Sequence, residues 1–404
     1  MRPGPVPTPA EGESQPVGDA AVAKRILREY RQRGIGPGSF QRLAGSVHGA
    51  SVSYLASAAD GERLVVSAWR ADAPVPVQFR QSSRTTTIDW LISRAATLSW
   101  LEQRGYPGPR LVRTRPGDVV GLDGVWLTMA TSYVEGAVLR PSVAQLRMLG
   151  GALGRLHSLG LDGAGMAAGV GEAGGAESTG PGRAMWWPGE AIPVTLARLD
   201  RIAGLVPPDW QEMYDLFRST VLDVRLVLDS LPAGVVHGDA WAANAVQTGP
   251  AQVVLIDWEC GGVGVPVLDL GNCLLECLLD AAPAGAGWPP AEVDPEPAWD
   301  DSEPAGAGPD AWNVQPDEAR IAALAGGYRG SRALSAGERA VLLPAIRFGA
   351  AYTGAIHFEQ ALVDGVRGPA MDTRLERLRN RLAVSETVAR LAAGHLGGDE
   401  KPVR

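Results

Sequence analysis

The segment His237-Gly238-Asp239, with Asn244 five residues beyond the aspartate and Ile256-Asp257-Trp258-Glu259 after it, constrains this chain more than any other feature. It places two carboxylates and a carboxamide within a short span, the set that metal-dependent phosphoryl transfer uses to meet a hydroxyl nucleophile and a magnesium ion. Fully extended, the five steps from Asp239 to Asn244 reach roughly 17 Å at about 3.3 Å each. A loop must therefore curl back to aim both side chains at one place, and Gly238 eases that curl. Leu231-Pro232-Ala233-Gly234 signals a turn and Val235-Val236 a short apolar run before the motif. After it, residues 244–247 and 252–256 flank Thr248-Gly249-Pro250, the pattern of a β-hairpin whose second strand ends on Asp257.

These residues resemble the aminoglycoside phosphotransferase and choline kinase family, relatives of the protein kinases. The resemblance rests on the block from His237 to Asn244, on Ile256 to Glu259, on Gly264-Val265-Pro266 and on Asp269-Leu270-Gly271. Weaker matches are Trp100-Leu101-Glu102 with Gly105-Tyr106-Pro107, Tyr133-Val134-Glu135-Gly136, and Leu153-Gly154-Arg155-Leu156-His157, so that it spans residues 35 to 280 or so. It implies an α+β, two-lobed protein-kinase-like fold with a small N-terminal β-sheet lobe and a larger, mainly helical C-terminal lobe. It also implies Asp239 as catalytic base, His237 as an orienting residue of the catalytic loop, and Asn244 and Asp257 as magnesium ligands. The hinge that meets the adenine of ATP, or the base of GTP, through main-chain atoms maps onto residues 131–134, with Ser132 and Val134 as the contacts. Asp269 reads instead as a structural cap at a helix start.

One departure stands out. The family holds the nucleotide phosphates with a lysine on the third strand, paired with a glutamate on the next helix. The only lysines here are Lys24 and Lys401, and the aligned positions carry Ser67 and Arg94. Arginine also binds phosphate well, and the local candidates are Arg70, Arg80, Arg84 and Arg94, Arg70 being the favoured cofactor contact.

Along the chain, residues 1–17 read as a disordered terminus, 18–132 as the nucleotide-binding lobe, 133–395 as the helical lobe, and 396–404 as a tail. A helix is expected over residues 19–33. Strands are expected at 51–56, 63–69, 111–113 and 125–130, within a five-stranded sheet. Thr87 and Asp89 open a helix that Gly105 ends, and Ser142-x-x-Gln145 reads as a capping box for a helix bearing Leu146, Leu149, Leu153 and Leu156. Residues 281–318 read as a Pro/Gly/Ala-rich loop, and the C-terminal third reads as helix over residues 338–360 and 373–393.

With a net charge of −8 over 404 residues, nucleic acid is not the expected partner. No apolar run approaches a membrane span and the N-terminus lacks a signal-peptide core, so a cytoplasmic location is expected. Cys260, Cys273 and Cys277 suggest no disulfide framework, and the five histidines show no zinc spacing. Residues 281–318 carry nine acidic residues and no basic one. As the rim of an acceptor site they would suit a cationic small molecule such as an aminoglycoside or other amino sugar, with Trp288, Trp299 and Trp312 as aromatic walls. Two other readings stay open: a kinase-like regulatory module that binds a nucleotide or metabolite, and a metal-dependent phosphohydrolase.

Overall fold

The computed structural model describes residues 40–43, 51–57, 61–71, 86–114, 116–123, 126–161, 181–182, 188–227, 230–277, 316–366 and 368–397. The expected helix over 19–33, the candidates Arg80 and Arg84, and the three tryptophans of the acidic run lie outside these residues.

The small lobe is a six-stranded antiparallel sheet built from β1 (Phe40–Arg42), β2 (Ser51–Ser57), β3 (Arg63–Arg70), β4 (Leu111–Val112), β5 (Gly121–Asp123) and β6 (Trp126–Ser132). The strand order is β1-β2-β3-β6-β4, with β5 also on β6. The sheet has one strand more than the five expected, and β1 and β5, which the sequence did not locate, are three residues each, too few to show an alternating pattern. Alternation in β3 sorts its side chains. Leu64, Val66 and Ala68 fill one face with Tyr54 and Trp126, whereas Trp69 joins Trp90, Leu91 and Ala95 of helix α1 (Thr87–Gln103) on the other. The helix is opened by Thr86, whose hydroxyl accepts from the Asp89 N–H while the Asp89 carboxylate reaches back, a full capping box.

The chain then leaves the sheet through residues 133–136 and β7 (Ala137–Val138) and enters α2 (Val143–His157). Ser142 caps α2 as expected, but the Gln145 carboxamide accepts from the Arg140 N–H and the Ser142 hydroxyl rather than from the Ser142 N–H. All four expected leucines of α2 are fully buried. Helices α3 (Pro188–Ile202) and α4 (Gln211–Val227) follow. Next come β8 (Gly234–Val236), the hairpin β9 (Ala245–Gly249) and β10 (Gln252–Leu255), and β11 (Gly262–Gly264), which pairs with β8. Helix α5 (Pro266–Glu276) packs on the long α8 (Leu342–Leu362), and α6 (Glu318–Ser331) lies against α2. A short α7 (Ala336–Ala340) and the terminal α9 (Pro369–Leu396) complete the helical lobe around one continuous apolar core. Cys273 and Cys277 belong to that core.

Asp317, at the end of the acidic run, caps α6 by accepting from the Arg320 N–H at 3.1 Å. At least that carboxylate has a local structural task. Among the described residues no helix is long and apolar enough to cross a membrane.

Candidate active site

The loop between β8 and β9 is built on buried polar contacts. Gly238 sits at φ +80°, and a side chain there would run into the backbone of Cys260, so both conformation and space demand glycine. His237 is fully buried. Its Nε2 lies 2.8 Å from the Ile256 carbonyl, which makes it the donor, and its Nδ1 accepts from the Asp239 N–H at 3.3 Å. Burial lowers its pKa, keeping the ring neutral. His237 therefore holds the backbone of both aspartate-bearing segments and stands beside Trp258, 4.6 Å between ring centres.

Asp269 lies on α5, but its carboxylate turns toward the loop rather than toward the N-terminus of its own helix. It accepts from the N–H of His237 at 2.7 Å and of Gly238 at 3.0 Å, and from His157 Nε2 at 3.0 Å. Burial alone would raise its pKa, yet the His157 hydrogen bond and the neighbouring imidazoles hold the carboxyl below its usual range. Behind it, His157 Nδ1 accepts from the Tyr328 hydroxyl at 2.9 Å, and that oxygen accepts from Arg332, which is paired with buried Glu338. The sequence reading expected a structural role for Asp269. It missed the target, because the loop and α5 are more than thirty residues apart and only folding brings them together.

Asp239 and Asn244 meet directly. Asn244 Nδ2 donates to the Asp239 carboxylate at 2.8 Å and to the Asp239 carbonyl at 3.0 Å, and Asn244 Oδ1 has no hydrogen bond among the described residues. The Ile256 N–H donates to the Asn244 carbonyl at 2.9 Å, tying the loop to the strand that ends on Asp257. Asp257 has φ 60° and ψ 64°, a left-handed turn that ends the run of the strand, and the residue is exposed there. Desolvation by the surrounding protein nevertheless pushes it up to about 6, with Glu259 adding to the shift and Arg94 opposing it. Asp239, half-buried, is pushed up to about 8 by desolvation first and then by Asp257 and Glu276. Glu276 is gripped by Arg381 of α9 through two bonds of 2.8 and 3.0 Å.

Among the described residues no cluster of three or more His, Cys, Asp or Glu side chains makes a ready-made metal site. Magnesium commonly takes one or two protein oxygens and leaves the rest of its shell to water and substrate phosphates. One carboxylate and one carboxamide oxygen, with crowded carboxyls that a cation would discharge, fit that habit.

At the edge of the sheet, the Ser132 N–H donates to the Arg110 carbonyl at 2.8 Å and the Tyr133 N–H to the Arg63 carbonyl at 2.8 Å. The Arg110 N–H goes to the Ser132 hydroxyl at 2.9 Å rather than to its carbonyl. The Ser132 carbonyl and the Val134 N–H, two residues apart, thus have no backbone partner among the described residues.

Of the arginines, Arg70 follows the β3 alternation onto the face of Leu64, Val66 and Ala68, opposite Trp126 and turned away from α1. Ser67 faces α1 and is bonded to Ser53 Oγ at 2.8 Å. Arg94 is buried beneath the sheet, with Nη1 3.3 Å from Glu259. The strand register thus turns Arg70 away from α1, and the packing of α1 sets Arg94 beside Glu259, two residues past Asp257.

Residues 78–312 match the model of the phosphotransferase enzyme family. Among solved structures, the chain is similar to an amicoumacin kinase in complex with AMP-PNP, Ca2+ and Ami, at 15% identity and a TM-score of 0.58 over 92% of this chain and 94% of that one. It is similar to an ethanolamine kinase of Plasmodium vivax, at 12% identity and a TM-score of 0.56 over 91% and 89% of the two chains. It is also similar to a choline/ethanolamine kinase family protein of Mesorhizobium loti, at 17% identity and a TM-score of 0.53 over 93% and 99%. At these identities the likeness shows a shared protein-kinase-like fold. No curated protein matches the chain.

Proposed function

The chain belongs to the phosphotransferase enzyme family, and on that footing we propose that it transfers the γ-phosphoryl group of ATP or GTP to a hydroxyl of a small molecule. The observation that carries this reading is the Asp239–Asn244 pair fixed next to the left-handed turn of Asp257. In it, Asp239 faces the acceptor hydroxyl and takes its proton, a role for which a carboxyl pushed up to about 8 has useful basicity. Asn244 Oδ1 and the Asp257 carboxylate are the groups that would hold magnesium, which when bound neutralises charge on the phosphates. His237 and Asp269 keep the loop in shape. The Ser132 carbonyl and Val134 N–H offer an acceptor and a donor to the edge of the base.

The acceptor is proposed to be cationic, an aminoglycoside or other amino sugar. Asp239, Asp257 and Glu276 gather negative charge around the position of transfer, and such a field favours an amine.

The test is phosphate transfer from Mg-ATP and Mg-GTP to a panel of amino-sugar and neutral hydroxyl acceptors, alongside Asp239→Ala and Asp257→Ala. Both substitutions are expected to abolish transfer, and activity that survives both would sink the assignment. The substitution of the strand lysine by Ser67 favours one second reading, a regulatory protein that binds nucleotide without turnover. That reading expects a thermal shift with Mg-ATP and no product with any acceptor.

A further inference from the structure

We propose that Arg94 supplies, from helix α1, the positive charge that anchors the nucleotide phosphates; the inference deepens the phosphotransfer reading and rests on it. By alternation the face of β3 turned to α1 carries Arg63, Val65, Ser67 and Trp69, with Arg63 as its one cation. Arg70 stands on the opposite face, and Arg63, at the far end of the strand, is engaged with Glu135 at 3.0 Å and with the Tyr133 ring. Arg94 is 5% exposed. Its guanidinium lies 4.8 Å from the Trp90 ring centre and 5.8 Å from that of Trp69, in the layer between the sheet and the metal turn.

The guanidinium is incompletely satisfied. Its Nη1 pairs with Glu259 at 3.3 Å, but neither Nη1 nor Nε makes a hydrogen bond to the described residues. Burying such a group with open N–H donors is costly. Aromatic faces recover part of that cost, and a phosphate oxygen would supply a missing acceptor through a charge-assisted hydrogen bond. Glu259, two residues past Asp257 and 30% exposed at its side chain, holds the charge when no nucleotide is present. The polarity of the usual pair is thereby reversed. The cation sits on the helix, and its acidic partner follows the metal-binding aspartate.

Calorimetric titration with Mg-ATP, Mg-GTP and their nucleosides distinguishes an anchor from a brace. The wild-type protein is expected to bind one triphosphate well above its nucleoside. In Arg94→Met, triphosphate affinity should fall roughly tenfold to a hundredfold, the range of a charged hydrogen bond, while nucleoside affinity stays unchanged. Arg94→Lys should recover part of the loss. Glu259→Gln leaves the guanidinium in place and should keep or raise triphosphate affinity, so it tests the idea even if Arg94→Met does not fold. Unchanged triphosphate affinity in Arg94→Met, an equal loss of nucleoside binding, or a matching loss in Glu259→Gln would each overturn the anchor role alone. A wild-type protein that binds neither triphosphate would overturn it together with the phosphotransfer reading.

Discussion

Asp257 is the one non-glycine residue held at positive φ in the described backbone. Aspartate visits that region more readily than most residues, though still at some cost. Here the turn ends the run of the strand. Desolvation, and after it neighbouring carboxylates, raises the carboxyls of both Asp257 and Asp239, so the metal-free folded chain binds more protons than the unfolded chain above about pH 4, and its stability falls as pH rises until Asp239 has titrated near 8. Buried His157 and His237, both with lowered pKa, oppose this below about 6.5. Thermal melts between pH 6.5 and 8 should therefore show a decline without magnesium and a flatter profile with it. A metal-independent slope would contradict the assignment of Asn244 and Asp257 as ligands. Asp269 makes a sharper case for stability. Asp269→Asn places an amide where three donors converge and should cost about 3–5 kcal/mol in a urea titration, whereas a loss below about 1 kcal/mol would show the network to be dispensable. Asp239, Asn244 and Asp257 were legible in the sequence because their spacing is the chemistry. Arg94 was legible only as a substitution, since which of several arginines faces the site depends on strand parity and helix rotation.

Helices α2 and α6 approach until backbone meets backbone. A side chain at Gly150 would strike the Leu324 carbonyl, and one at Gly327 would strike the Arg147 carbonyl, whereas Gly326 faces open space. The neighbouring glycines of α6 give a matched test. Gly326→Ala should stabilise by about 0.5–1 kcal/mol through helix propensity, and Gly327→Ala should destabilise by about 1–3 kcal/mol through overpacking despite the same propensity gain. Equal effects by chemical denaturation would refute the close contact. This packing matters to the site because α2 ends on His157 and α6 carries Tyr328, the two residues behind Asp269. Periodicity and caps made α1, α2 and the catalytic hairpin readable in advance. The three-residue strands and the break between α7 and α8 were not, since their lengths are set by neighbours.

The helical lobe closes with α9, which buries Met371, Leu375, Leu378, Leu382, Val388 and Leu396 against the core and sends Arg381 to Glu276. Six such side chains at about 1.5–3 kcal/mol each outweigh the net stability of about 5–15 kcal/mol typical of a folded domain. A chain ended at Gly368 should therefore fail to unfold cooperatively in calorimetry, and a sharp transition in it would show α9 to be an accessory. Through Glu276 the terminal helix also reaches the electrostatics of Asp239. The sequence by itself determined the family and the α+β two-lobed class and supplied Asp239, Asn244 and Asp257 as the candidates for the proposed base and metal positions, because short-range spacing and periodicity encode them. Tertiary structure alone decided that Asp269 braces the loop, that Arg70 turns away, and that Arg94 meets Glu259 beneath the sheet. Those outcomes depend on contacts between segments distant in the chain, where strand register and helix packing, and not local pattern, choose the partners.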